Sequence, residues 1–364
     1  MIFIRQTERI RGPARCFRAG SALAWLAVIA PAAICRAEKP SERVGPPADL
    51  CLLMLRDPAV AAELKLTDEQ SEAIDKAVRR EADDLLPIWA RRASEPQARA
   101  VQVRVEGQLR KLVEPAQWER FEQIKLQKRK ILGLLDPYAA EKLKLSKETL
   151  KFIDECGDTA FEEKYGRSGG SKPKGADPWA EATQRVRARL GDDVAGQWDT
   201  LRGAPFDMRK LRERAIPAPE LRRAEEWVNG KPQKLEDLRG KVVILVFWRH
   251  GCPACSRSYS VFRDWNQTLG DKGAVMIGMH SPSSEPEGNP ALVKSKISEA
   301  GMTYPIALDN ELTNWKGWGV NSWPSVYVID KRGDVRYAGS ASFGGVGEGG
   351  EPAVRKIVEK LLAE

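Results

Sequence analysis

Histidine is almost missing from this chain: of 364 residues, only His250 and His280 carry an imidazole. They are too close together and wrongly patterned for a finger-type metal site, and a single CxxC pair among the six cysteines also excludes a zinc site built from two such pairs. Cysteine is too sparse for a disulfide-built scaffold, since Cys16 and Cys35 fall in an N-terminal segment that reads as removable and only Cys51, Cys156, Cys252 and Cys255 remain. A surplus of one charge sign is lacking too. The formal net charge is +8, but with residues 1–37 set apart 53 Lys and Arg stand against 50 Asp and Glu, so no nucleic-acid surface is implied. Spanning apolar runs are absent: the N-terminal run Ala22 to Ile34 has thirteen residues, where a membrane helix needs about 20.

What is present begins with an export signal. Arg5, Arg9, Arg11, Arg15 and Arg18 precede that apolar run, and Cys35-Arg36-Ala37 places small residues before a cut. Residues 1–37 are therefore expected to be a signal peptide, with an uncleaved anchor as the alternative, and the mature protein to be exported to the periplasm or cell envelope, where disulfides persist. Residues 38–49 form a Pro-rich charged tether.

Residues 50–206 repeat themselves once. Asp57-Pro58, Leu64-Lys65-Leu66-Thr67 and Ile74-Asp75 recur 79 residues later as Asp136-Pro137, Leu143-Lys144-Leu145-Ser146 and Ile153-Asp154, and Gln117-Trp118 is echoed by Gln197-Trp198. Pro58, Pro115, Pro137 and Pro178 each follow an acid, as helix-starting prolines do, and Thr67 with Gln70 makes a capping box. The expectation is an all-α domain of two repeated units, without a catalytic constellation. Cys51 and Cys156 occupy unmatched positions in the two units; a disulfide between them and two buried thiols are both open.

After 206 the character changes. Residues 207–217 read as a basic, Pro-interrupted linker, and 218–364 alternate apolar β-branched runs with helical segments, which predicts a three-layer α/β domain. Val242 to Trp248 is a continuous apolar run, the mark of a strand buried on both faces. Strands are also expected at 274–279, 325–329 and 335–338, helices at 254–268, 291–300, 312–318 and 352–363, and a small hairpin at Asn229-Gly230. Few contacts are expected to cross the linker.

The chemistry sits where the apolar strand ends, at Arg249-His250-Gly251-Cys252-Pro253-Ala254-Cys255. A helix beginning there places Cys252 at its exposed N-terminus, whose unpaired N–H groups favour a thiolate, and Cys255 a turn further in. Cys252 can attack a substrate disulfide and Cys255 can resolve the mixed disulfide that forms.

The stretch Leu235 to Trp248 followed by CPAC resembles the exported thioredoxin-like families related to TlpA and ResA. Gly278-Met-His-Ser-Pro282, Tyr304 to Asn310, Trp323 to Asp330 and Gly347-Glu-Gly349 resemble more narrowly the C-terminal domain of DipZ-type proteins. The likeness covers about residues 218–364. It implies a thioredoxin-like fold, dithiol–disulfide exchange through Cys252 and Cys255 with no cofactor beyond their redox-active disulfide, and a cis-proline at Pro324 facing them. Val246 stands where thioredoxins carry a buried acid, so the proton acceptor for Cys255 is left open.

Around that pair, Trp323 precedes the proline and Trp248 is expected to pack beside the site. His280 is either a core histidine bonded to backbone or a proton shuttle, Glu348 a solvated loop acid or a relay, and His250 a modulator of the thiolate. The expected function is an exported thiol–disulfide oxidoreductase of protein thiols and disulfides, with a membrane-bound reductant and a protein partner for the helical repeats as further partners and nucleic acid excluded. A helical-repeat scaffold with an accessory redoxin domain is the alternative. A thiol peroxidase would want Pro and Thr or Ser before its cysteine, where Trp248-Arg249-His250-Gly251 stands, and a copper chaperone would want CxxxC.

Overall fold

The computed structural model describes residues 50–364 apart from 91–93, 166–176, 213–214, 225 and 341–349, and apart from the side chains of residues 95 and 165. The expected signal segment 1–37, the tether 38–49 and Glu348 lie outside the described residues. The described residues begin with eight α-helices: α1 (Pro58–Leu64), α2 (Asp68–Arg80), α3 (Ala82–Trp89), α4 (Glu95–Leu109), α5 (Pro115–Arg129), α6 (Pro137–Lys142), α7 (Lys147–Tyr165) and α8 (Pro178–Leu201). The internal repeat is visible in their caps. Asp57 accepts from the Ala59 N–H at 2.8 Å, and Asp136, 79 residues on, from the Tyr138 N–H at 3.1 Å. Lys65 and Lys144 both take φ 52°, the left-handed conformation that ends a helix. Thr67 closes the capping box with Gln70, and Ser146 repeats its half by accepting from the Thr149 N–H.

The sheet follows: β1 (Ile216–Pro217), β2 (Glu226–Val228), β3 (Val243–Trp248), then α9 (Pro253–Thr268), β4 (Val275–His280), α10 (Pro290–Glu299), β5 (Ile306–Leu308), α11 (Thr313–Gly317), β6 (Ser325–Ile329), β7 (Asp334–Ser340) and α12 (Glu351–Ala363). The strand order is β1-β7-β6-β3-β4-β5-β2, with β3 parallel to β4 and antiparallel to β6. This is a thioredoxin-like mixed sheet. All six residues of β3 are buried, because a central strand has no solvent face. Alternation then sorts them: Val243, Leu245 and Phe247 enter one core, while Ile244, Val246 and Trp248 enter another beneath α9.

Two expectations about the first half of the sheet are corrected. Trp227-Val228 forms no hairpin through Asn229-Gly230; β2 pairs antiparallel with β5, and the Asn229 amide caps that edge by donating to the Met302 carbonyl at 2.7 Å. The linker is not a bare connector, since Ile216–Pro217 pairs with β7.

The larger correction concerns the interface between the halves. The core on the β3 Phe247 side runs without a break from Leu55, Val78, Leu85 and Phe121 of the first helical unit to Leu245, Ile277, Tyr327 and Val335 of the sheet. The described residues belong to one compact unit, Arg43–Glu364. The first helical unit is thus a covering layer of the sheet, and many contacts cross where few were expected. The physical reason is that β3 and its neighbours are apolar on both faces while α9, α10 and α12 cover only one.

Polar contacts stitch the same interface. Arg56 donates to Asp334 at 2.9 and 3.0 Å and to Asp75 at 2.8 Å, and Arg222 meets Asp83 of α3 at 2.7 Å. Gly319, at φ 60°, lies so close to α3 that an added Cβ would stand 3.3 Å from the Pro87 ring. The second helical unit has its own core around Leu134, Ile153, Val186 and Trp198. Cys156 is a free thiol buried in that core, and Cys51 is buried at the start of the first unit, so the bridge weighed between them is not formed.

Candidate functional site

Cys252 is the N-cap of α9 and Pro253 its first helical residue. That placement follows from local chemistry: proline has no N–H to leave unpaired at the first position, and a cap residue needs an acceptor side chain. Here the acceptor is sulfur. The Cys255 N–H donates to the Cys252 Sγ at 3.3 Å, so a thiolate at Cys252 would take a backbone hydrogen bond at the positive end of a 16-residue helix. Cys252 is less open than its helix terminus suggests, at 6% exposure, and Cys255 is fully buried. Burial, with the neighbouring Cys252 sulfur, pushes the Cys255 thiol far up, and the Arg249 backbone N–H and charge oppose this only in part. The two sulfurs are therefore chemically unequal.

Facing Cys252 is the loop before β6. The Trp323–Pro324 peptide bond is cis, and the Trp323 carbonyl lies 3.8 Å from the Cys252 Sγ. The Trp323 ring stacks on Trp315 with centroids 4.2 Å apart, and the Arg249 guanidinium lies over the Trp323 ring, 5.0 Å from its centroid. Arg249 is held by Glu287, whose carboxylate also accepts from the Ser283 N–H and hydroxyl at 2.9 Å each. Burial raises the Glu287 carboxyl, but Ser283 and Arg249 together hold it below the usual range. Sequence spacing carried no sign of this Arg249–Glu287 clamp or of Trp315, because the partners come from segments far apart in the chain.

The histidines meet. Trp248 and His280 are cross-strand neighbours at the ends of β3 and β4, and the His250 N–H, just beyond, donates to the His280 Nε2 at 3.3 Å. The two imidazole rings stack at 5.7 Å, 12° from parallel. Because Nε2 accepts, the His280 proton belongs on Nδ1. Burial first, then His250 and Arg249, push His280 down to about 4, so it stays neutral in the folded protein. His280 is thus backbone-bonded and buried. Trp248 packs edge-on against both His280 and Tyr259, at 5.0 and 5.8 Å. Tyr259, also absent from the sequence reading, is one turn along α9 from Cys255; the i, i+4 step was its only signal. Among the described residues no three His, Cys, Asp or Glu side chains cluster to hold a metal ion.

Residues 214–338 match the AhpC/TSA family, and the C-terminal part of the chain is a thioredoxin-like domain related to the TlpA and ResA group. The DipZ proteins of Mycobacterium bovis and Mycobacterium tuberculosis are each 36% identical over 148 residues, 40% of this chain and 20% of their own length. The thiol-disulfide oxidoreductase YkuV of Bacillus subtilis is 27% identical over 155 residues, 43% of this chain and 98% of that protein. The chain thus spans about a fifth of the length of its DipZ relatives and nearly the whole of YkuV.

Proposed function

We propose that this protein is an exported thiol–disulfide oxidoreductase that exchanges Cys252 and Cys255 with thiols and disulfides of protein substrates. The observation that carries the reading is the inequality of the two sulfurs: one caps a helix and accepts its N–H, the other is buried beneath it with a raised pKa. Cys252 attacks a substrate disulfide, one substrate sulfur leaves as thiolate, and Cys255 then displaces the second by bonding to the Cys252 sulfur. The Trp323 carbonyl and the cis-proline beside it offer an extended substrate segment a backbone acceptor next to the reacting sulfur. Curated relatives named thiol-disulfide oxidoreductases support the same reading. Export rests on residues 1–37 of the sequence.

The test is turbidimetric reduction of insulin in the presence of dithiothreitol, followed by trapping. Cys255→Ser should accumulate a mixed disulfide with substrate on non-reducing gels, and Cys252→Ser almost none. Trapping by Cys252→Ser alone would reverse the order of attack, and trapping by neither would remove thiol exchange as the function. Peroxide consumption by the wild type, with no insulin reduction, would favour a thiol peroxidase.

A further inference from the structure

The first helical unit covers the sheet, and one of its contacts leads back to the reacting sulfur. Trp323 carries both the carbonyl that lies 3.8 Å from the Cys252 Sγ and the ring that stacks on Trp315. Ring and carbonyl belong to one residue, so whatever holds the indole also sets where the acceptor lies. Trp315 sits on α11, and its ring packs edge-on against Phe247 of β3 at 6.4 Å. Its N–H donates to Asp309 at 2.8 Å; that carboxylate, buried, also accepts from the Asn314 N–H at 3.0 Å and from the Ser281 and Thr313 hydroxyls at 3.2 Å each. A buried carboxylate so fully bonded leaves α11 little freedom to shift.

α11 is in turn mounted on the helical half. Asn314, fully buried, accepts from the Arg222 N–H at 2.7 Å and donates to the Arg222 carbonyl at 3.2 Å. The Arg222 guanidinium lies across α11 at Gly317, where an added Cβ would stand 3.2 Å from its Cζ, and it donates to Asp83 of α3 at 2.7 Å. Two residues past α11, Gly319 meets Pro87 of the same helix. Trp318 enters the core that Leu85 and Leu86 of α3 share with the sheet. Contacts therefore run without a gap from α3 through α11 to Trp323 and Cys252.

We propose that Trp315 is a positioning residue for the substrate-facing loop before β6, and that the first helical unit sets its place through α3 and α11. The inference rests on the thiol-exchange reading above. It gives the helical unit a part in the reaction. α3 holds α11, α11 presents Trp315, and Trp315 keeps the Trp323 carbonyl beside the Cys252 sulfur, where an extended substrate segment needs its acceptor. A small disulfide has no backbone to pair with that carbonyl, so a protein substrate and a small reagent should respond differently when Trp315 changes.

The experiment mixes the reduced full chain with insulin or with dithiobis(nitrobenzoate) and follows loss of the free Cys252 thiol in acid-quenched samples. Trp315→Leu should slow the reaction with insulin about fivefold, the scale of one aromatic pair, and leave the reaction with the small disulfide unchanged. Trp315→Tyr, which keeps a stacking ring, should recover most of the insulin rate. Asp83→Arg turns the attraction on Arg222 into repulsion at a half-exposed site; it should slow insulin about twofold, again with the small disulfide unaffected. The double variant should be no slower than Trp315→Leu alone, because both changes act on one chain of contacts. Equal slowing of both disulfides by Trp315→Leu would overturn the role by placing the effect at the thiol or in packing, and so would an unchanged insulin rate. An Asp83→Arg protein as fast as wild type, or a double variant slowed by the product of the two single effects, would sever the helical unit from the loop. Were Trp315→Leu unable to fold, the half-exposed Asp83 site would still give the ratio of the two rates. A wild type that leaves insulin intact would instead remove the thiol-exchange reading itself.

Discussion

Arg56 and Asp334 provide the sharpest test of the claim that helices and sheet form one folding unit. Their side chains are 5% and 2% exposed, and they belong to opposite halves of the chain. Asp334 opens β7 and also faces Arg79 of α2 at 3.3 Å. Replacing Asp334 by Ala leaves the buried Arg56 guanidinium with Asp75 alone, a carboxylate it shares with Arg79. Breaking one side of a buried pair costs roughly 3–5 kcal/mol, far above the ~0–1 kcal/mol of an exposed ion pair. At roughly 2–4 °C per kcal/mol, the melting temperature should drop by about 6–20 °C. Arg56→Ala should cost a similar amount, and the double variant less than the sum, because once one partner is gone the second has less to lose. A double-mutant cycle by urea denaturation should return a coupling energy of about 1–3 kcal/mol within a single transition. Coupling below about 0.5 kcal/mol, or two transitions of which Asp334→Ala moves only one, would refute the shared core.

Two further outcomes follow from the same structure. A fragment of residues 218–364 should aggregate or behave as a loosely packed state, because it opens the core that Leu245, Ile277 and Val335 share with the first helical unit. Each large apolar side chain so exposed loses about 1.5–3 kcal/mol, so a soluble fragment with a cooperative melt would show that the helical unit is dispensable. His280 is held down to about 4, with Glu287 working against the shift, whereas the unfolded chain titrates near 6.5. Its contribution is therefore complete above about pH 6.5 and is lost as pH falls toward 4, on the order of 3 kcal/mol in all. Urea midpoints should fall more steeply over that window in the wild type than in His280→Asn; equal slopes would show that His280 titrates normally.

The readable parts were those whose cause is local. Val242 to Trp248 could only be a strand covered on both faces, and a CxxC at its end with proline between the sulfurs placed Cys252 at a helix cap. The repeat at an offset of 79 likewise announced two equivalent units, because an aspartate cap before proline and a left-handed lysine are set by near neighbours in the chain. Arg249 and Glu287 were not legible as a pair, since an ion pair between segments far apart in the chain leaves no spacing in either. His280 was readable as a strand-end residue, but its tautomer and neutrality come from the His250 N–H and from burial, which appear only when β3 and β4 align.

By itself, then, the sequence determined the central strand, the helix-capping thiol and the kind of chemistry two such sulfurs perform, because backbone propensity and capping act over a few residues. Tertiary structure alone decided what covers the second face of the sheet. The periodicity of α2, α3 and α5 announces an apolar stripe but not its partner, since the hydrophobic effect has no direction and any apolar surface satisfies it. The choice of β3 and its neighbours as that partner, with Arg56 reaching Asp334 and Pro87 seated against Gly319, is made by shape and by the pairing of buried charge. Both exist only once the chain has closed.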